Sequence, residues 1–227
     1  MFLAMDTVFD QCSIAILDRD GTVMFSQTES GKRMQTQQIL PMIDAALNET
    51  WLKLADIQAL IFNRGPGAFS GIRINTAVVQ ALSVAHDIPC VGISSLQAIS
   101  HTAFKQYSCT EVYSALDARM QQVYFGQYSL IDNIMQPVFD ERNADTEKLL
   151  DYERQTQESI AIAGNGAELL TLQNDQIIYS DITPDAAIIG QLGIAQFKAT
   201  GGTDAALALP KYLRNQAWKT LKEQGKA

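Results

Sequence analysis

The sequence predicts an α/β protein with two similar lobes, each built in the order βββαβα. Strand-like apolar runs alternate with helical apolar patterns in the first half, and a similar succession begins again near residue 112. The chain has 227 residues, of which 47% are hydrophobic and 19% are charged, so it can bury a substantial core. We expect one lobe over residues 1–107 and a second over 108–227, with the last helix free to pack back on the first lobe.

The first lobe begins with three predicted strands. Phe2 to Asp6 is a buried-strand pattern, and the stretches 12–17 and 22–27 flank Asp20-Gly21, a pair typical of hairpin turns. A helix is predicted next, over about 34–47. Its apolar residues recur at helical spacing around Pro41 and are Ile39, Leu40, Ile43, Ala46 and Leu47.

The rest of the first lobe alternates strands and helices. Ala59 to Asn63 is a short β-rich run that ends at a glycine-dense turn, and residues 72–86 follow as a long helix. Residues 90–93 are predicted as a further strand, and 94–104 as another helix.

The second half repeats this order. Its predicted strands are 112–116, 123–128, 135–139, 160–163 and 177–179, and its helical pattern covers 188–197. Identity between the halves is weak, so the repeat is one of structure. A doubled βββαβα arrangement is typical of the actin-like, sugar-kinase and Hsp70 (ASKHA) architecture, which is the fold we predict.

The charge balance argues against a protein whose main task is to bind nucleic acid. The net charge is -8 and the pI is near 4.7, whereas affinity for RNA rests largely on lysine and arginine at the phosphates. The carboxyl terminus is the exception, and it is either a solvated basic tail or a docking site. Its basic residues are Lys211, Arg214, Lys219, Lys222 and Lys226.

Cysteine usage and the apolar runs predict a cytoplasmic protein. Cys12, Cys90 and Cys109 are odd in number and lack paired spacing, which is typical of a reducing compartment. Polar residues interrupt every apolar run before the ~20 residues that cross a bilayer, and no signal peptide is visible. We therefore expect no association with a membrane.

The most specific stretch is the glycine-dense turn Arg64–Arg73, between a strand and a helix. Gly65, Gly67 and Gly71 permit backbone angles and close approaches that other residues do not. Such a loop also directs free amide groups toward the start of the helix, which suits an anion. The turn therefore predicts either a tight connection or a phosphate cradle.

This turn is one of six motifs that occur in order along almost the whole chain. The others are Asp6-Thr7, Leu40-Pro41-Met42, Pro89–Leu96, Asp117–Met120 and Pro210–Arg214. Together they resemble the TsaB (YeaZ) family. The resemblance implies a bacterial protein that works with the transferase TsaD and the ATPase TsaE, which modify adenosine 37 of tRNAs reading codons that begin with adenine.

The resemblance also implies an accessory subunit rather than an enzyme. In TsaD, two histidines four residues apart on one helix hold a metal, and the matching positions here are Ser95 and Ile99. The chain has two histidines: we expect His86 to be a cap or a solvated residue and His101 to be a surface residue. No catalytic residue and no metal site are expected.

The nucleotide-binding features of the fold look eroded as well. The bulky side chains of Val8 and Phe9 follow Asp6-Thr7, where phosphate-binding turns carry hydroxyl groups, glycines or a basic group. We interpret the remaining features as a vestigial nucleotide cleft or as structural turns, and expect no cofactor. They are Asp6, Thr7, Gly65, Gly67, Gly71, Asp117, Gly164 and Gly166.

The predicted helix at 72–86 carries apolar residues on nearly every face, with Arg73 as its unambiguous charge. Such a helix must be covered on two sides. One side can pack on the chain's own sheet, and the other needs either a second layer of the same chain or another protein. The resemblance implies a helical bundle in which this helix and the one at 34–47 pair with their counterparts in TsaD or in a second copy. The predicted interface residues are Ile39, Leu40, Ile43, Leu47, Ile74, Ala77, Val78, Ala81, Leu82 and Ala85.

Two rival functions stay open. One is an active metal-dependent ATPase or phosphotransferase that uses Asp6, Asp117 and the glycine turns around magnesium nucleotide. The other is a glycoprotease-like peptidase, although no zinc-peptidase, nucleophile-elbow or Walker motif occurs in the sequence. For the accessory subunit we expect TsaD and TsaE as partners, a homodimer in isolation, and tRNA contact through the complex alone.

Overall fold

The computed structural model describes residues 1–31, 34–145, 160–170 and 177–214. The first half contains β1 Phe2–Asp6, β2 Gln11–Leu17, β3 Val23–Ser30, α1 Gln35–Glu49, β4 Ala59–Asn63, α2 Phe69–His86, β5 Cys90–Ile93 and α3 Ser95–Tyr107. The second contains β6 Glu111–Arg119, β7 Gln122–Ile131, β8 Ile134–Pro137, β9 Arg142–Asp145, β10 Ala161–Ala163, β11 Ile178–Tyr179 and α4 Ala186–Thr200. Every predicted strand and helix is confirmed, with shifted ends, and β9 was not predicted.

The first sheet has the strand order β3-β2-β1-β4-β5. The pairs β1–β2 and β2–β3 are antiparallel, whereas β1–β4 and β4–β5 are parallel. Strands β1 and β4 are buried along their whole length because helices cover both faces of the sheet, which explains their unbroken apolar sequences.

The second sheet has the strand order β8-β7-β6-β10-β11, which repeats the order of the first. Strand β6 takes the place of β1, pairing antiparallel with β7 and parallel with β10. The long strand β7 pairs with β8 through residues 128–131 and with β9 through residues 122–125. The doubled arrangement is therefore confirmed, and the chain has the ASKHA fold.

Two central helices each pack on the sheet of the other half. Leu96 and Ile99 of α3 share a buried apolar cluster with Val112 of the second sheet. Ile189 of α4 shares one with Ala4 of the first sheet. Each sheet thus packs against a helix from the other half of the sequence. The lobe boundary that we expected between residues 107 and 108 stays a prediction.

The segment after α4 crosses from one lobe to the other. Gln80 on α2 donates hydrogen bonds to the carbonyl oxygens of residues 205 and 208, and the amide of Lys211 donates to the carbonyl of Arg64 at 2.8 Å. Arg214 then donates to the carbonyl oxygen of Ala118 at 2.7 Å, in the second sheet. The expected basic residues Lys219, Lys222 and Lys226 lie outside the described residues.

Among the helices in the described ranges, none combines the length and the apolar character needed to cross a membrane.

His101 is not the surface residue that we expected, because its position on α3 faces the interior. It is fully buried, and neither ring nitrogen has a hydrogen-bond partner among the described residues. Burial lowers the pKa of its imidazole to about 4, and the charge of Lys105 acts in the same direction. His86 ends α2 in an exposed position, as expected.

We predict that His101→Leu makes the protein less sensitive to acid. The unfolded chain binds a proton at His101 near pH 6.5, whereas the folded chain does so near pH 4, so wild-type stability falls as the pH drops through this window. The difference in unfolding free energy should therefore grow in favour of the variant by roughly 3 kcal/mol between pH 7 and pH 4. Urea unfolding at a series of pH values measures it.

The matched control is His86→Leu, since His86 is exposed at the end of α2. This variant removes an imidazole without changing the core, so it shows what the loss of a histidine outside the core does to stability at each pH. A difference between His101→Leu and the wild type that does not change with pH would contradict the buried, neutral imidazole. The contribution of other titrating groups cancels because each variant retains them.

Candidate functional site

A cleft of about 440 Å³ lies between the two lobes, where the strand ends of both sheets meet. Its first-lobe wall consists of the β1–β2 turn, residues 8–10, and the start of α2, residues 67–69. The second-lobe wall consists of residues 116–119 at the end of β6, together with Asn165, Ser180, Ile182 and Thr183. Of the predicted nucleotide-cleft residues, Gly67 and Asp117 line this opening, and the other six do not.

Asp6 lies beneath the wall of this cleft and not on its surface. Its carboxylate accepts a hydrogen bond from the amide of Val8 at 2.9 Å and one from the Gln11 side chain at 3.2 Å. Burial raises the pKa of this carboxyl group to about 7, although these hydrogen bonds oppose the rise. Both carboxylate oxygens are used within the β1–β2 turn, which favours the turn-forming interpretation of this residue.

The start of α2 is pressed against that same turn. Thr7 donates its hydroxyl hydrogen to the carbonyl oxygen of Gly71 at 2.7 Å. A Cβ atom on Gly71 would lie 2.0 Å from the carbonyl oxygen of Thr7, so only glycine allows this contact. A Cβ atom on Gly67, whose φ is +156°, would lie 2.3 Å from Cγ1 of Val8.

The glycines of the strand-to-helix turn therefore serve close packing within the chain. Gly65, with φ of +92°, donates its amide hydrogen to the side chain of Asn63 at 2.9 Å. The side chain of Val8 lies directly over Gly67, where a phosphate cradle would need open space. Of the two interpretations that the sequence left open, the geometry favours the tight connection.

Asp117, at the end of β6, is engaged by its own hairpin. Its carboxylate accepts from the amide of Arg119 at 2.7 Å and from that residue's guanidinium at 2.8 Å. Gly164 and Gly166 pack on β6, where added Cβ atoms would lie 2.4 Å from the Ala115 carbonyl oxygen and 2.7 Å from the carbonyl carbon of Leu116. The carboxylate of Asp117 and the two glycines thus serve the structure of the second sheet.

In the part of the chain that the structure describes, no group of three or more histidine, cysteine or acidic residues lies close enough to hold a metal. The two positions that match the metal ligands of TsaD are buried on α3. Ser95 donates its hydroxyl hydrogen to the side chain of Asn63 at 2.7 Å, and Ile99 belongs to the core beside the second sheet.

Helix α2 has a polar anchor on its inner face. The side chain of Asn75 donates to the carbonyl oxygen of Met5 at 3.2 Å and to that of Asn63 at 2.9 Å. These two carbonyls belong to neighbouring parallel strands, so the amide fixes the rotation of α2 on the sheet. The rotation decides which residues of the helix face outward.

The outward face of α2 is apolar. Ala77, Ala81 and Ala85 are exposed, and Val84 beside them is 77% exposed. Contiguous apolar patches on a protein surface commonly mark interaction sites, and Val84 with its alanine neighbours forms such a patch. Three residues that flank this face are half-buried against the core, namely Ile74, Val78 and Leu82. We call these seven residues the α2 face.

Helix α1 contributes less to this surface than we expected. Leu40 is exposed and Leu47 is half-buried, but Ile39 and Ile43 are buried in the chain's own core beside β1 and β2. Helical spacing alone could not separate the inward from the outward residues of α1. Val84 was not among the predicted interface residues, although it follows Ala81 by three positions on the same face.

One family model and several known proteins match most of this chain. The model of the family described as "TsaD: tRNA N6-adenosine threonylcarbamoyltransferase" matches residues 23–225. The "tRNA threonylcarbamoyladenosine biosynthesis protein TsaB" of Haemophilus influenzae is 32% identical, over 96% of each chain. The protein of the same name from Escherichia coli is 33% identical, over 96% of this chain and 97% of its own.

A solved structure shows the same likeness in three dimensions. The YeaZ protein from Pseudomonas aeruginosa superposes with a TM-score of 0.85 at 32% identity, covering 93% of this chain and 99% of its own. Sequence and structure thus match over both lobes and not over one motif. The chain belongs to the TsaB/YeaZ family.

Proposed function

We propose that this protein is a non-catalytic, activating subunit in the biosynthesis of threonylcarbamoyladenosine in tRNA. In this role it binds TsaD, together with TsaE, and supports transfer of the threonylcarbamoyl group to N6 of adenosine 37. Membership of the TsaB/YeaZ family supports the pathway. The observation that carries the accessory role is the exposed α2 face.

The α2 face has the chemistry of a helix-pairing surface. The helix carries no charged residue between Ile74 and Ala85. A partner that covers this stretch would therefore not bury an unpaired charge of the helix. The exposed alanines recur every four residues and allow two helix backbones to approach closely. A second helix placed here would bury Val84 and the half-buried aliphatic residues beside it.

Two occupants fit this surface under the proposal. The paralogue TsaD is the proposed partner in the working complex, since a relative with the same fold would present equivalent helices. A second copy is the proposed occupant in isolation, because a two-fold axis lets a single apolar patch pair with itself. Contact with tRNA is proposed to occur through the complex, in keeping with the net charge of -8, and the complex is proposed to be cytoplasmic.

The site supports a binding role better than phosphoryl transfer. A magnesium nucleotide requires free carboxylate oxygens and open space at the glycine turns. Here Asp6 is enclosed, Asp117 is paired with Arg119, and Val8 covers Gly67. We therefore propose that the isolated chain binds nucleotide weakly or not at all.

We predict that Ala81→Glu weakens association while leaving the subunit folded. The new carboxylate would be buried without a partner in the proposed helix pair, which costs several kcal/mol, whereas in the free subunit it stays in water. The dissociation constants of the homodimer and of the complex with TsaD should rise at least about tenfold. Analytical ultracentrifugation measures both.

The matched control is Ala199→Glu, an exposed alanine of α4 on a different surface. This variant should associate as the wild type does. A fully associated Ala81→Glu protein would place the interface elsewhere.

We also predict that the activity of the complex does not require the carboxylate of Asp6. Asp6→Asn preserves the shape of the β1–β2 turn but removes the carboxylate that magnesium would need. Threonylcarbamoyl transfer by the reconstituted complex should stay within about twofold of the wild type, whereas Ala81→Glu should reduce it about tenfold or more.

Calorimetric titration of the isolated chain with magnesium ATP completes this test. We expect no saturable heat and no turnover. Tight binding with hydrolysis by this chain alone, abolished by Asp6→Asn, would instead establish the phosphotransferase alternative.

A further inference from the structure

A second recess, of about 240 Å³, lies apart from the cleft and shares none of its lining residues. It opens where β4 and β5 end and α3 begins, and side chains that follow β8 close its other side. The carboxyl ends of parallel strands are a common place for ligands in α/β proteins. The polar side chains that matter here are Arg64, Gln97, Gln136, Asp140 and Gln196.

Arg64 reaches this recess by lying across the backbone of Gly92. A Cβ atom on Gly92 would stand 2.9 Å from Cδ of Arg64, so the glycine makes room for the stem of the arginine. The guanidinium Nε is buried and has no hydrogen-bond partner among the described residues. Within those residues no carboxylate forms an ion pair with Arg64 either.

The other strong charges of the recess are already balanced. The ammonium group of Lys211 lies 2.9 Å from the carboxylate of Glu141, whose side chain is only 5% exposed. The hydroxyl of Tyr128 donates to the same carboxylate. Asp140 is exposed at the rim and has no ion-pair partner within the described ranges.

What is left facing the recess is one cation and one anion. A planar guanidinium recognises a carboxylate through two parallel hydrogen bonds, and a buried donor without an acceptor is costly. The carboxylate of Asp140, which lines the same recess together with Gln136 and Gln196, suits an ammonium group. Drug-sized ligands usually fill roughly 300–1,000 Å³, so this recess suits a molecule of few atoms.

We propose that the recess binds a small α-amino acid, with its carboxylate on Arg64 and its ammonium group toward Asp140. The ligand joins the two uncompensated charges across the space between them. This binding site is separate from the cleft and from the α2 face. It does not depend on the accessory role proposed above.

The test titrates the full-length protein with glycine, acetate and methylamine, which carry both charges, the negative charge and the positive charge respectively. Nuclear magnetic resonance of the arginine Nε–H groups reports on Arg64 directly. We expect glycine to shift the Arg64 signal in a saturable way and to bind at least about tenfold more tightly than acetate or methylamine. Equal binding of acetate and glycine, or no shift with glycine, would overturn the proposal.

Two variants and one control locate the site. Calorimetric titration with glycine follows these variants, because Arg64→Gln lacks the Arg64 signal. Arg64→Gln should abolish glycine binding, whereas Arg119→Gln, which removes a guanidinium that is 85% exposed outside the recess, should leave it unchanged. Asp140→Asn changes an exposed residue and so keeps the fold, and it should weaken glycine binding about fivefold or more with little effect on acetate. Glycine binding that survives both Arg64→Gln and Asp140→Asn would show that the amino acid binds elsewhere.

Discussion

The contact between the first turn of α2 and the turn that follows β1 is the constraint on which the rest depends. Gly71 lies so close to the carbonyl of Thr7 that no side chain fits between them, and the Thr7 hydroxyl ties the two backbones together. Asn75, one turn further along, fixes the helix to two strands at once. Position and rotation of an 18-residue helix are thereby set by a few polar contacts at its amino-terminal end.

This contact has a different consequence on each side of the helix. Toward the cleft, it brings Val8 over Gly67 and leaves Asp6 enclosed, which removes the space and the free oxygens that a phosphate and its metal require. Away from the cleft, it turns the charge-free alanine stripe toward solvent. The absence of nucleotide chemistry and the presence of a docking surface, both proposed here, thus follow from a single packing choice.

Strands were predictable because β1 and β4 are buried on both faces and consist of continuous apolar runs. The side of each helix that faces the core could not be predicted, because periodicity shows where the apolar residues are but not which of them a sheet covers. Ile39, Ile43 and His101 were misjudged for this reason, the last because α3 packs on a sheet formed later in the chain. The recess around Arg64 was invisible, because it joins residues that lie far apart in the sequence.

The path of the chain after α4 links the proposed docking surface to the second lobe. Gln80 on α2 holds residues 205–208, Lys211 is bonded to both Arg64 and Glu141, and Arg214 reaches the end of β6. A partner bound to the α2 face would therefore be held in a fixed orientation relative to both lobes. Because α3 and α4 also cross between the sheets, tilting one lobe would break buried apolar contacts in the other. These contacts between the lobes suit the ordering of a partner, which is the role proposed above.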